Sequence, residues 1–307
     1  MNVIPALAIT DAMLTYSSVS EPDAGSPSTE PIYDAGVSYA LAAVVISTTT
    51  HRKYESLAAA NLGNALTNTT KWLDIGPTNK WAMFDILRNT QTIAPSPIVV
   101  TIVPGERINS IAVLGLDATS VTVMMTGPGS PAPLYYTHTE DLNTREVLNW
   151  YDYFFEPFST RPAFALFDLP PYSNGIITVT ITNTVGDAKC GAIAIGTFQY
   201  IGEAQQEAES EELNFSTITR ETTGEAVLVQ RRSLPKSTQR VLCDKSLVNQ
   251  VRELRTALNA TPAVWSALDD QSTHEFFDAL LILGIYRQFR ITLADPTCTI
   301  NLEVEEI

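Results

Sequence analysis

Positive charge is scarce in this chain: 19 Lys and Arg stand against 34 Asp and Glu, a formal net charge of −15. A field of that sign repels phosphate backbones and anionic lipid surfaces at long range, so neither nucleic acid nor membrane insertion is expected. Cysteine is equally sparse. Cys190, Cys243 and Cys298 lie far apart without a C-x-x-C spacing, which argues against a disulfide framework or a thiolate zinc site and leaves three core thiols. His51, His138 and His274 are the only histidines and form no H-x-H or H-x-x-x-H pair. A Gly-x-Ser-x-Gly elbow and a Walker-type glycine loop are also missing, so no catalytic residue, metal or cofactor is expected. No apolar run approaches the ~20 residues that span a bilayer. Met1–Pro5 has no basic region ahead of an apolar stretch, so a signal peptide is not expected.

Charged residues of both signs make up only 17% of the chain, below the ~25% of an average globular domain. With 45% hydrophobic residues and a mean hydropathy of +0.04, the surface must be covered by uncharged polar groups. Thr is the one available in quantity, at 36 positions. Together with 18 Pro and 15 Gly, it points to many short strands rather than a helical bundle. A length of 307 residues suggests two or three domains at the usual ~150 residues each.

The pattern along the chain supports a mainly β protein in three parts. Residues 1–76 read as a small β module, with a short apolar strand at Val3–Ile9, a second at Ala43–Ile46, and aromatic residues spaced by turns. Residues 77–204 read as a jelly-roll-like β-sandwich. Its strand candidates fall at 98–103, 110–116, 121–125, 176–182 and 192–198, each bounded by Gly, Pro, Asn or Asp. Ile177, Val179 and Ile181 alternate with Thr178, Thr180 and Thr182, the period of a strand with one wet face. Residues 205–307 read as an acidic linker or arm followed by an α+β domain. There Leu247, Val248, Val251, Leu254 and Leu258 describe an amphipathic helix with Asp244 as N-cap. A capping box is expected at Ser272–Glu275. A hairpin is expected to turn Phe289, Ile291, Leu293, Ile300, Leu302 and Val304 toward the helix.

The densest chemical cluster runs from Trp150 to Phe158 and holds Tyr151, Asp152, Tyr153, Phe154, Phe155 and Glu156. Asp152 and Glu156 on aromatic platforms have the ingredients of a glycosidase pair. The plainer reading is that the rings anchor the sandwich edge or face another subunit. Tyr33, Tyr39, Tyr54, Trp72 and Trp81 are likewise either the core of the small module or a surface that stacks on sugar. The basic residues Arg231, Arg232, Lys236 and Arg240 follow the acidic run Glu203–Glu212, so charge pairing within the chain or with a neighbour is expected.

Several stretches resemble a family of structural proteins in tailed bacteriophages: Trp72 to Asp85, Val103 to Ala112, Trp150 to Phe158, Asp168 to Tyr172, and Cys190-Gly191 with Gly196 and Tyr200-Ile201-Gly202. The resemblance implies a non-enzymatic, tail-associated virion subunit, made in the host cytoplasm, whose partners are copies of itself and other tail proteins. Separately, Tyr33-x-x-Gly36-x-x-Tyr39, Val44, Tyr54 and Trp72 are similar to the small chitin-binding-type carbohydrate-binding modules. That likeness implies a small β fold and, as the alternative function, an adhesin contacting a host surface glycan.

Overall fold

The computed structural model describes the chain except residues 23–30, 88, 145–147, 157–158, 206–207, 221, 223–224, 269–277 and 295–296. The protein is mainly β and sandwich-rich, with few helices. The Thr-alternating segment explains why. Strand Ile176–Thr182 pairs antiparallel with both Ser120–Thr126 and Ile98–Ile102, so that Ile177, Val179 and Ile181 sit level with Met125, Val123 and Val121 on one side and Ile102, Val100 and Ile98 on the other. All nine of those side chains are buried. The opposite face is a threonine surface, with hydroxyl contacts of 3.2 Å between Thr101 and Thr178 and 2.9 Å between Thr122 and Thr139. Uncharged hydroxyls thus replace charges on this face. Leu134–Asp141 and Leu14–Ser17 close the two edges of the five-stranded sheet.

The facing sheet has three strands, Ala163–Leu166, Ser110–Leu114 and Ala192–Gly196, and it is covered on both sides. Ile111, Val113, Phe164, Ile193 and Ile195 point into the sandwich core. Ala112, Leu114, Ala163, Ala165, Ala192 and Ala194 point the other way, onto Ile4, Val264, Leu281 and Leu283 of a third sheet. Small side chains let the two sheets approach closely. A Cβ on Gly196 would lie 2.4 Å from the carbonyl oxygen of Pro5, so that position tolerates only Gly.

The third sheet runs in the order Gln199–Tyr200, Asn2–Pro5, Ala263–Ser266, Leu281–Leu293, Thr297–Glu306, Ser233–Asp244 and Glu203–Ala204, with Glu209–Asn214 also paired to Ser233–Asp244. Its far face carries Trp265, Phe289, Ile300, Leu302 and Val304 against Val251 and Leu254 of the helix Val248–Ala257 and Leu258 at its C-cap. Asp244, expected as the N-cap of this helix, instead caps the 3-10 turn Lys245–Leu247 that leads into it, accepting from the backbone N–H of Ser246, and the helix itself begins after Leu247 without a side-chain cap. The hairpin differs from expectation at two places. Leu293 is exposed rather than facing the helix. A bulge between Tyr286 and Gln288 puts Tyr286 on the helix side, where its hydroxyl donates to the Arg255 carbonyl at 2.9 Å. The layers therefore stack as threonine sheet, alanine sheet, third sheet and helix.

Strand pairing does not follow the boundaries read from sequence. Residues 1–76 supply strands to three sheets: Asn2–Pro5 to the third sheet, Leu14–Ser17 to the threonine sheet, and Val44–Ser47, Arg52–Ser56 and Trp72–Pro77 to a small sheet of their own. A four-residue apolar strand cannot cover itself, and Val3 and Ile4 become fully buried by adding to a larger sheet. The acidic run expected as a linker or arm is instead largely strand. Lys236 bridges Glu211 at 3.4 Å and Glu303 at 2.9 Å, the intrachain pairing expected for the basic residues. The capping box at 272–275, with His274, lies outside the described residues.

Candidate functional site

The eight aromatic candidates divide sharply by environment. Tyr39 and Trp72 are buried with Val45, and Tyr33 and Tyr54 pack against them. The rings of Tyr33 and Tyr39 meet the Trp72 indole edge-on at 5.7 and 5.4 Å. Both the Tyr33 hydroxyl and the Trp72 N–H donate to the Asn64 carbonyl, at 2.7 and 2.9 Å. These four residues are the core of the small sheet, and their polar atoms are committed to its loops. Tyr39 and Trp72 have no face left for a sugar.

Trp81 is buried too, in a joint that sequence reading missed. Its indole stacks on His51 with ring centroids 4.2 Å apart and planes 21° apart, while its edge meets Phe84 of the sandwich core. The buried carboxylate of Glu21 accepts from His51 Nδ1 at 2.8 Å, Thr78 Oγ1 at 2.8 Å and Trp81 Nε1 at 3.2 Å. Asp11 holds the other imidazole nitrogen at 2.8 Å. His51 belongs to the turn between Val44–Ser47 and Arg52–Ser56, so this joint ties the small sheet to the sandwich. Nothing in the local sequence signals it, because Asp11, Glu21, His51 and Trp81 are far apart in the chain.

Trp150, Tyr151 and Tyr153 have the opposite environment. Helix Trp150–Phe155 buries none of its residues. Trp150 is 78% exposed and Phe155 70%, with Leu148, Tyr151, Tyr153 and Phe154 also more than half exposed. The stem of this spur is fixed. Leu142 is buried in the sandwich core, the Arg161 N–H donates to the Leu142 carbonyl at 2.8 Å, and Thr144 pairs with Ser159 at 2.9 Å. Asn149 caps the helix by accepting from the N–H groups of Tyr151 and Asp152, and Asp152 accepts in return from Leu148 N–H at 3.2 Å. Asp152 therefore works as a cap. Glu156 is exposed at the far end, and the two carboxylates do not flank a described cleft. Trp150 stacks on Phe154 at 6.3 Å and Tyr151 meets Phe155 at 5.0 Å, so the rings touch one another and solvent.

A second projection starts in the acidic run expected as a linker or arm, and its outer strand pair went unread in the sequence. Glu209–Asn214 pairs with Ser233–Thr238, and beyond it Thr217–Arg220 pairs with Ala226–Val229, forming a long two-stranded arm. Every described residue of the outer pair is exposed, including Ile218, Val227, Leu228 and Val229. The alternation of Thr and Ile at 217–220 and the run Ala226–Val229 were strand signals available in the sequence.

Burial pushes the thiol of Cys190 up, and that of Cys243 up to about 11, where the adjoining Cys298 adds to the effect. Thiols held that high make poor nucleophiles. His138 stacks over Phe164 at 5.8 Å and lies 3.3 Å from Glu140, which also binds Arg161. Among the described residues, no group of three or more His, Cys, Asp or Glu is arranged to hold a metal ion, and no helix is long and apolar enough to cross a membrane. No protein-family model, curated protein or solved structure matches this chain.

Proposed function

We propose that the protein is a non-enzymatic structural subunit of a multi-copy assembly, and that the assembly is a tail-associated part of a phage virion. The spur is the observation that carries the first half. Five aromatic side chains and Leu148, each more than half exposed, present on the order of 600 Å² of apolar surface. That equals the upper end of what monomers leave uncovered, ~300–600 Å², and approaches the ~800 Å² that one partner gives to a standard interface. The exposed apolar arm adds to it. The virion half rests on the motif resemblance between Trp72 and Gly202. A tail position also suits a chain whose threonine face is wet without being charged.

Sedimentation velocity on the purified chain tests the reading, with concentration-dependent multimers expected. A monomer that persists at the highest soluble concentration would sink it. Labelling of intact particles with an antibody to this chain checks the virion assignment, and signal at the tail is expected. The exposure of Trp150 also supports a second reading, a glycan-binding adhesin. Under that reading glycan-array binding appears and is lost in Trp150→Ala.

A further inference from the structure

We propose that the arm of one copy docks onto the spur of the next, a head-to-tail contact between identical chains that rests on the multi-copy reading above. In the arm, Ile218 lies opposite Leu228 and Arg220 opposite Ala226. Residues two apart on a strand share a face, so Ile218, Leu228 and Arg220 form one aliphatic, basic surface. Ile218 is 67% and Leu228 70% exposed. An isolated two-stranded hairpin is marginal in water, so this ribbon requires cover. Its root is firm. Glu209–Asn214 is hydrogen-bonded to a strand of the third sheet, and Arg231 N–H donates to Ser216 Oγ at 2.9 Å across the junction. Arg232 is engaged at the root with Glu306 at 3.4 Å, while Arg220, Arg231 and Glu225 are exposed.

Charge selects the occupant. Residues 148–156 contain Asp152 and Glu156 and no Lys or Arg, whereas Arg220 is the one charged residue of the paired strands Thr217–Arg220 and Ala226–Val229, in a chain of net charge −15. Spur against spur brings carboxylates together, and the Ile218–Leu228 face against itself brings Arg220 against Arg220. Arm against spur pairs guanidinium with carboxylate and with ring faces, while aliphatic side chains cover the aromatics. The two patches differ, so the contact is heterologous and propagates into a ring or a filament.

The test uses two variants of the full chain, Ile218→Asp/Leu228→Asp in the arm and Trp150→Asp/Phe154→Asp in the spur, followed by sedimentation velocity. Each alone is expected to be monomeric, with association weakened about a hundredfold or more. Mixed, they are expected to form a 1:1 dimer that grows no further, because one supplies an intact spur and the other an intact arm. That dimer would also show that both variants fold. Should either lose its far-ultraviolet β signal, the corresponding alanine substitutions carry the same test. Wild-type assembly by either variant alone, or a mixture that stays monomeric, overturns the arm-to-spur contact and leaves the multi-copy reading standing. A monomeric wild-type chain overturns both.

Discussion

Arg287 is the extra residue of the bulge in Leu281–Leu293, and the bulge turns its guanidinium onto Glu305 of the neighbouring strand. The hydrogen bonds from Arg287 outweigh burial and hold the Glu305 carboxyl below the usual glutamate range, with the charges of Arg287 and Lys236 acting in the same direction. A carboxyl whose folded pKa is depressed contributes stability above its unfolded pKa and loses it as pH falls toward the folded value. Arg287→Met is therefore expected to be less stable than wild type at neutral pH. Because the guanidinium is 55% exposed, solvent screens the pair and the gap should be small. It should close as pH drops below the glutamate range in urea titrations, and a gap undiminished in acid would refute the assignment. The sequence showed Arg287 and Phe289 alternating with Gln288 and Arg290. It could not show a bulge, which depends on the partner strand having one residue fewer.

Among the elements, the strand Ala192–Gly196 is the most informative. Its alternation of Ala and Ile has the same period as the Thr and Ile of Ile176–Thr182, and both are strands as expected. Their fates differ because Ala is small and apolar enough to be covered by a second sheet, whereas Thr can remain wet. Ala194→Leu would force a larger side chain into the buried layer that also holds Ile4 and Leu283, at an expected cost of about 1–3 kcal/mol by the usual overpacking range. Thr180→Val on the threonine face should change stability by less than about 0.5 kcal/mol. Equal midpoints in urea for the two variants would mean that the alanine layer is not tightly packed. Periodicity thus announced both strands and both of their faces, but it carried no record of what lies against each face. The same limit applies to the aromatics. Trp72 and Trp150 look alike in sequence, yet one is a core residue and the other stands in solvent.

At the scale of the whole molecule, the small sheet is held to the sandwich through Glu21, His51, Thr78 and Trp81. Removing the Glu21 carboxylate strips three donors of their common acceptor, and Glu21→Ala is expected to cost about 2–3 kcal/mol. Limited proteolysis should then cut first within residues 32–77, with the sandwich surviving longer. Unchanged digestion in that variant would show that the joint does not secure the small sheet. Composition and alternation by themselves determined that this chain is β-rich, that Thr lines a wet face of the sandwich, that its thiols lie in the core and that an amphipathic helix follows soon after the capping residue Asp244. Those properties depend on neighbours a few residues apart, where side-chain period and capping chemistry act directly. Only the tertiary structure decided that the N-terminal strand completes the C-terminal sheet, that distant Glu21 and His51 meet, and that the spur and arm face solvent. Each of these is set by which surfaces compete successfully for burial across long stretches of chain, and local sequence does not record that outcome.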